Sequence, residues 1–275
     1  MLDRFAKLPN SLKDNARTVR LNVGNRPTIP ALLCHPDWVS PAPTMLWMHG
    51  RTANKELDSG RYIRWIKAGI AAVAIDLPAH GERALGQAEA PTGATLAILA
   101  QLITEIDHVV ESLADPIWQG VFDLDRLGIG GMSLGGMAAL RRLCDPHEFK
   151  CAAVECTTGD LWSLYRPDGP RPWGQSFAEA DIAPLDALRH VGNYRPIPLL
   201  ALHSEADRII PWPIERGFLD QLRTHYASAG ADPMMVEVKT WPSTGAPEEH
   251  SGFGRVGNEA KNAQTEFLSR RLASS

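Results

Sequence analysis

The chain has 275 residues, 44% hydrophobic and 22% charged, with a formal net charge of −4. That is ordinary globular usage, in a chain long enough to bury a large core as one α/β domain spanning 1–275. The mild acidic balance offers no electrostatic reason for a nucleic-acid partner or an anionic membrane surface.

Residues 1–16 read as a helical or loose lead-in. Arg17–Val23 alternates apolar and polar residues, as a half-exposed strand does. Gly24-Asn25-Arg26-Pro27 is turn-like, and Ile29–Cys34 is the expected antiparallel partner. Pro36, Pro41 and Pro43 mark a loop. The rhythm then changes to continuous apolar runs at Thr44–Met48, Ile70–Ile75, Leu127–Met132, Ala152–Val154, Ile197–Leu202 and Met234–Val238. Runs of this kind suit strands buried on both faces. Between them lie helical patterns, best seen in Leu96, Leu99, Ile103, Ile106, Val110 and Leu113. Strands alternating with helices predict an α/β fold with a mostly parallel sheet flanked by helices. Residues 157–193 break the alternation with Trp162, Tyr165, Trp173, Phe177 and several prolines and glycines. They read as a small lid excursion over the strand ends.

The most informative stretch is Gly131-Met132-Ser133-Leu134-Gly135, which fits G-x-S-x-G. An apolar strand precedes it and a helical pattern follows. A serine on such a sharp strand-to-helix turn has an exposed hydroxyl beside a helix N-terminus, whose free N–H groups favour developing negative charge.

A serine hydroxyl is a weak nucleophile until a base takes its proton, and a third group must hold that base in one tautomer. The chain order Ser, acid, His can be supplied here. Asp207 lies a few residues past a buried strand, at the sheet edge where ligands of open α/β folds bind. Glu205 is its nearest rival and Asp186 a more distant one. Only His225 and His250 follow Asp207, and His225 falls inside a helical pattern, which leaves His250 as base. His49 and His80 are read as loop-shaping residues. The oxyanion donors are expected to be the backbone N–H groups of Leu134 and Arg51, with Thr52 as the alternative to Arg51. The Arg51 side chain could meet a substrate anion or pair with Glu56 or Asp58.

These residues resemble the α/β-hydrolase superfamily, and more narrowly its dienelactone-hydrolase and prolyl-oligopeptidase-like esterase branch. The resemblance is carried by Leu46–Gly50, Asp76–Arg83, Gly131–Gly136, Ser204–Asp207 with Pro211, and His250 with Phe253, so it spans about residues 44 to 253. It implies an eight-stranded sheet, a Ser-His-Asp triad, and hydrolysis of esters or related acyl compounds without a cofactor. The chain departs from dienelactone hydrolases proper in carrying Ser133 where they have cysteine. The segment before Thr44 leaves no room for the extra domain of prolyl oligopeptidases. A single His49-Gly50 stands where many lipases have HGGG.

The expected activity is that of a serine carboxylesterase on small or aromatic esters, with Trp162, Tyr165, Trp173 and Trp212 walling the substrate pocket. The same triad could cleave C–C or amide bonds, and a non-catalytic small-molecule binding protein is the alternative of a different class. No metal-ligand spacing is present, so no metal is expected. Cys34, Cys144, Cys151 and Cys156 form no C-x-x-C pair and are expected as buried free thiols. The opening residues lack the apolar run of a secretory signal, no segment is long enough to span a bilayer, and a cytoplasmic location follows as the expectation. An exposed apolar edge at the excursion could pair two copies as a homodimer.

Overall fold

The structure, a computed structural model, describes residues 7–24, 26–84 and 92–272. Residues 1–6 of the lead-in and Asn25 of the first turn lie outside the described residues. Eight strands form one sheet: β1 (Ala16–Leu21), β2 (Ile29–Cys34), β3 (Ala42–Met48), β4 (Ala71–Ile75), β5 (Phe122–Met132), β6 (Cys151–Glu155), β7 (Leu199–Ser204) and β8 (Val236–Trp241). Their spatial order is β1-β2-β4-β3-β5-β6-β7-β8. β2 pairs antiparallel with β1 and β4, and every other pairing is parallel. The mostly parallel eight-stranded sheet is the one the sequence predicts.

Several strand bounds shift by a few residues from those expected, and two of the starts have a clear local reason. β5 starts at Phe122 rather than near Leu127, because its pairing with β3 jumps from Pro43↔Asp123 to Thr44↔Leu127. The Asp123 carboxylate takes the N–H groups of Asp125 and Arg126 in that jump, so the strand continues through an irregularity in its pairing rather than starting after it. β8 starts at Val236 rather than Met234, because Asp232 accepts the N–H of Met234 and closes a 3₁₀ turn over Pro233–Met235.

Among the described residues eight α-helices accompany the sheet: α1 (Asn10–Lys13), α2 (Ser59–Lys67), α3 (Thr95–Leu113), α4 (Leu134–Arg142), α5 (Leu161–Tyr165), α6 (Glu179–Ile182), α7 (Trp212–Ser228) and α8 (Gly257–Leu272). Side chains alternate across the pleat, so β3 sends Leu46 and Met48 to one core and Met45 and Trp47 to the other. The first core holds the apolar faces of α3, α4 and α7, including Leu102, Ile106, Leu140 and Phe218. The second holds Leu12, Tyr62, Trp65 and Phe267 from α1, α2 and α8. Arg61 crosses this second layer to a bidentate contact with Glu155, both oxygens at 2.7 Å. All four cysteines are free and buried. Among the described residues, no helix is long and apolar enough to cross a membrane.

The excursion after β6 comprises α5, α6 and a 3₁₀ segment at Ala187–Asn193. Asp186 ties it together by accepting the N–H groups of Leu161, Trp162 and Leu188. Leu164, Tyr165 and Ile182 bury into the first core, so the excursion is packed onto the body.

Candidate active site

β5 ends at Met132 and α4 begins at Leu134, leaving Ser133 alone at the turn with φ 51° and ψ −118°. A non-glycine residue held there stores about 1–3 kcal/mol of strain, which the surroundings must over-determine. They do so through three backbone contacts. Ser133 N–H donates to Glu155 O at 2.9 Å, while Ser133 O accepts from Thr157 Oγ1 at 2.7 Å and from Met137 N–H at 2.9 Å. The glycines of the motif are required by proximity. A Cβ on Gly131 would stand 2.5 Å from Met48 O, and one on Gly135 would stand 2.2 Å from the same oxygen.

Three loops at the C-terminal edge of the sheet bring the expected residues together. His250 Nε2 lies 3.0 Å from Ser133 Oγ, and His250 Nδ1 lies 2.8 Å from Asp207 Oδ2. The other Asp207 oxygen accepts the N–H groups of Ile209 and Ile210, both at 2.8 Å. Asp207 therefore has its orientation set from both ends. All three side chains are buried. With Nδ1–H donating to the carboxylate, Nε2 is left as an acceptor for the serine hydroxyl, the arrangement a general base needs.

The rival residues are placed elsewhere. Glu205 accepts from Thr240 Oγ1 at 2.7 Å, and His225 on α7 donates to Tyr194 O at 2.7 Å. Asp186 serves as the cap described above, and burial pushes its carboxyl up to about 6.

His49 Nδ1–H donates to Gly50 O at 2.7 Å, and Nε2 accepts Leu77 N–H at 3.2 Å. Burial pulls the ring down to about 4, so it is a neutral strut between the loops after β3 and β4. His80 stacks edge-on against it at 5.6 Å. The strut sets the course of Gly50, whose missing Cβ would lie 3.3 Å from Ser133 Cβ. Arg51 follows directly, and Arg51 and Leu134 both line the cleft that contains Ser133. Leu134 is the first residue of α4, so its N–H has no acceptor within the helix.

The cleft is narrow, its walls close together. Its apolar wall is Met137, Tyr165, Pro172, Trp173, Ile209 and Ile210, with Arg51 and Thr95 as polar members. Of the four aromatics expected to bind substrate, Tyr165 and Trp173 line this cleft and Trp162 and Trp212 do not. Trp162 packs against the first core, and Trp212 turns under the acid loop onto the His203 ring at 5.4 Å. Met137, Ile209 and Ile210 were missed by sequence reasoning. The available signal was their distance along the chain: four residues after the serine on one helix face, and two and three after the acid.

The Arg51 guanidinium donates to Thr95 Oγ1 and sits 5.5 Å from the Trp173 ring centroid. The carboxylates suggested for it have other partners, Glu56 with Lys55 and Asp58 with Arg61. Lys55 is itself fully buried, 2.8 Å from Asp76 and 2.6 Å from Glu82. Burial opposes its charge, but the carboxylates prevail and raise its pKa, so the loops after β3 and β4 are cross-linked by ion pairs. Cys156 lies behind the triad, its sulfur within 4.8 Å of donor atoms of Asp207 and His250. Burial, reinforced by the Asp207 charge, pushes that thiol well up, which keeps it protonated.

Residues 103–274, which include Ser133, Asp207 and His250, match the model of the prolyl oligopeptidase family. The chain belongs to that family. It is a serine hydrolase with the α/β-hydrolase fold. It is 28% identical over 193 residues to Esterase YjfP of Escherichia coli (strain K12), covering 66% of this chain and 76% of that protein. TT1662 from Thermus thermophilus shares the fold at a TM-score of 0.70 and 21% identity, over 94% of this chain and 99% of its own. Acylaminoacyl peptidase of Pyrococcus horikoshii aligns at a TM-score of 0.69 and 18% identity, over 94% of this chain but 42% of its own.

Proposed function

We propose that this serine hydrolase is a carboxylesterase that cleaves small or aromatic esters through an acyl-enzyme on Ser133. The observation that carries the reading is the continuous contact from Asp207 through His250 to Ser133, opening on a narrow cleft with a mainly apolar wall. The walls of this cleft stand close together, so a short acyl group or a single ring asks the least displacement of them. The likeness to an esterase supports ester chemistry.

In the first step Ser133 Oγ attacks the ester carbonyl carbon as its proton passes to His250 Nε2. Asp207 holds Nδ1–H and stabilises the imidazolium. The carbonyl oxygen becomes an oxyanion held by the N–H groups of Leu134 and Arg51. Collapse breaks the bond to the alcohol oxygen, which takes the proton from His250 and leaves. Water then attacks the acyl carbon and gives a proton to His250, which passes it to Ser133 Oγ as the acyl–oxygen bond breaks and the carboxylic acid departs.

The test is hydrolysis of p-nitrophenyl esters of increasing acyl length by wild type and Ser133→Ala. Short acyl chains are expected to be cleaved best, and the variant to lose on the order of 10⁴–10⁶-fold in kcat. A Ser133→Ala enzyme that keeps most of its activity would overturn the mechanism. Family membership favours amide cleavage as the second reading. A faster turnover of an anilide than of the ester with the same acyl group would select it.

A further inference from the structure

The residue immediately before the proposed base is bound more elaborately than a loop residue requires. One oxygen of Glu249 accepts from Ser204 Oγ at 2.9 Å, Thr244 N–H at 2.5 Å and Thr244 Oγ1 at 2.8 Å. The other accepts from Gly245 N–H at 2.8 Å. Ser204 is the last residue of β7 and stands three before Asp207, whereas Thr244 and Gly245 belong to the loop that carries His250. Ser204 and Thr244 are both completely buried. A single carboxylate thus joins the acid loop to the base loop. A second tie runs beside it, from Arg208 N–H to Glu248 O at 3.1 Å.

The backbone needs such a clasp. Glu248 and Glu249 have φ of 52° and 53°, a left-handed conformation that side chains disfavour by roughly 1–2 kcal/mol per residue. Two consecutive residues in that region turn the chain so that His250 faces Ser133. Without the four donors the strain is free to relax, and the imidazole moves with it.

We infer that Glu249 is a positioning residue, whose carboxylate locks the His250 loop onto the end of β7 and so sets both imidazole contacts of the triad. The inference rests on the triad reading above. The donated hydrogen bonds, led by that from Thr244 N–H, hold the Glu249 carboxyl down at about 2, so the clasp is anionic at any working pH. No neutral replacement can accept from all four donors. Glutamine offers one acceptor oxygen and turns its NH₂ group toward another donor.

The experiment uses p-nitrophenyl butyrate with Glu249→Ala, Glu249→Gln, Ser204→Ala and the Ser204→Ala/Glu249→Ala double variant. Rates are expressed per active site, titrated to completion with a fluorophosphonate. Misplacing a catalytic group by about 1 Å costs up to about 100-fold, so Glu249→Ala is expected to lower kcat per site about 10- to 100-fold with little change in KM. Glu249→Gln should fall between it and wild type. Ser204→Ala should lose a smaller factor, and the double variant should be no slower than Glu249→Ala alone. A purely structural brace would lower the number of titratable sites and leave kcat per site intact. That result, or losses that multiply in the double variant, overturns the inference. Should Glu249→Ala not fold, Glu249→Gln and Ser204→Ala carry the same comparison. Ser133→Ala assayed alongside separates the two levels. Wild-type activity in it overturns the triad reading and this inference together, whereas a silent Ser133→Ala beside a full-rate Glu249→Ala overturns this inference alone.

Discussion

Gly135→Ala tests whether the contact between α4 and the end of β3 governs catalysis. The added Cβ would lie 2.2 Å from Met48 O, 2.6 Å from Met48 C and 2.7 Å from His49 O. These are backbone atoms, and Met48 is paired on both sides, with Ile75 of β4 and Gly131 of β5. They cannot swing aside as a flexible side chain would. Real Cβ contacts stay beyond 3.0 Å, so the seam must open by about 0.8 Å. The two proposed oxyanion donors stand on opposite sides of that seam, Leu134 on α4 and Arg51 beyond β3. An oxyanion donor works at about 2.7–3.1 Å, and losing one costs about 10²–10³ in kcat. The expected outcome is a kcat about 100-fold below wild type with KM nearly unchanged. Overpacking should also cost about 1–3 kcal/mol of stability. Initial rates on p-nitrophenyl butyrate per titrated site give the first number and urea unfolding the second. Gly217→Ala is the control. Gly217 is exposed on α7, and a Cβ there meets nothing within 4 Å. It should leave kcat unchanged and add up to about 1 kcal/mol of stability. A Gly135→Ala enzyme with kcat within threefold of wild type would refute the reasoning, because the donors would then not straddle this seam.

Two further outcomes follow from buried charge. Arg61→Leu leaves the Glu155 carboxylate, 1% exposed, without its bidentate partner, and should cost about 3–5 kcal/mol in urea unfolding. Arg61→Leu/Glu155→Met should recover most of that loss, and a double variant as unstable as the single would contradict the account. His49 titrates near 4 in the fold and near 6.5 in the unfolded chain, so the unfolded state takes up the proton first as pH falls. Its contribution to stability is full above about pH 6.5, is lost progressively as pH falls toward 4, and levels off below. His49→Gln should therefore show a flatter stability curve between pH 6.5 and 4 than wild type. Urea midpoints across that range check this, and parallel curves would refute it.

The sheet was legible because parallel strands buried on both faces read as unbroken apolar runs, and the triad because chain order and loop position left few choices. His225 could be set aside from its helical surroundings alone, and the structure turns it toward Tyr194 O. The strand starts at β5 and β8 were less legible, since each depends on an aspartate capturing nearby N–H groups rather than on hydrophobic period. The cleft wall was legible only in part. Aromatic content marked the excursion as an apolar surface, but which aromatic faces Ser133 depends on how the excursion docks. Tyr165 and Trp173 reach the cleft while Trp212 is drawn to His203. Glu249 carried no signal at all, because its value lies in contacts with Ser204 across 45 positions and with a tight turn that only the folded loop defines.

The surroundings of Asp207 leave its contact with His250, the proposed base, without a charged competitor. Three buried titratable groups lie around it: Cys156, His203 and Glu215. Burial, then the Asp207 charge itself, pushes Cys156 and Glu215 well up, so both keep their protons. Burial pulls His203 down, against the opposing attraction of Asp207, so it stays neutral. His203 then donates Nε2–H to Ile210 O at 2.9 Å and lies 3.6 Å from Asp207 Oδ2, close enough to pack but outside hydrogen-bond reach. None of the three neutralises the carboxylate. Its charge, poorly screened in this interior, acts on His250 Nδ1–H at 2.8 Å. In the proposed mechanism that attraction strengthens when the serine proton arrives and the imidazole becomes a cation. A neutral shell therefore leaves the contact between Asp207 and His250 Nδ1–H undisturbed, which is what the proposed mechanism requires of it in the transition state.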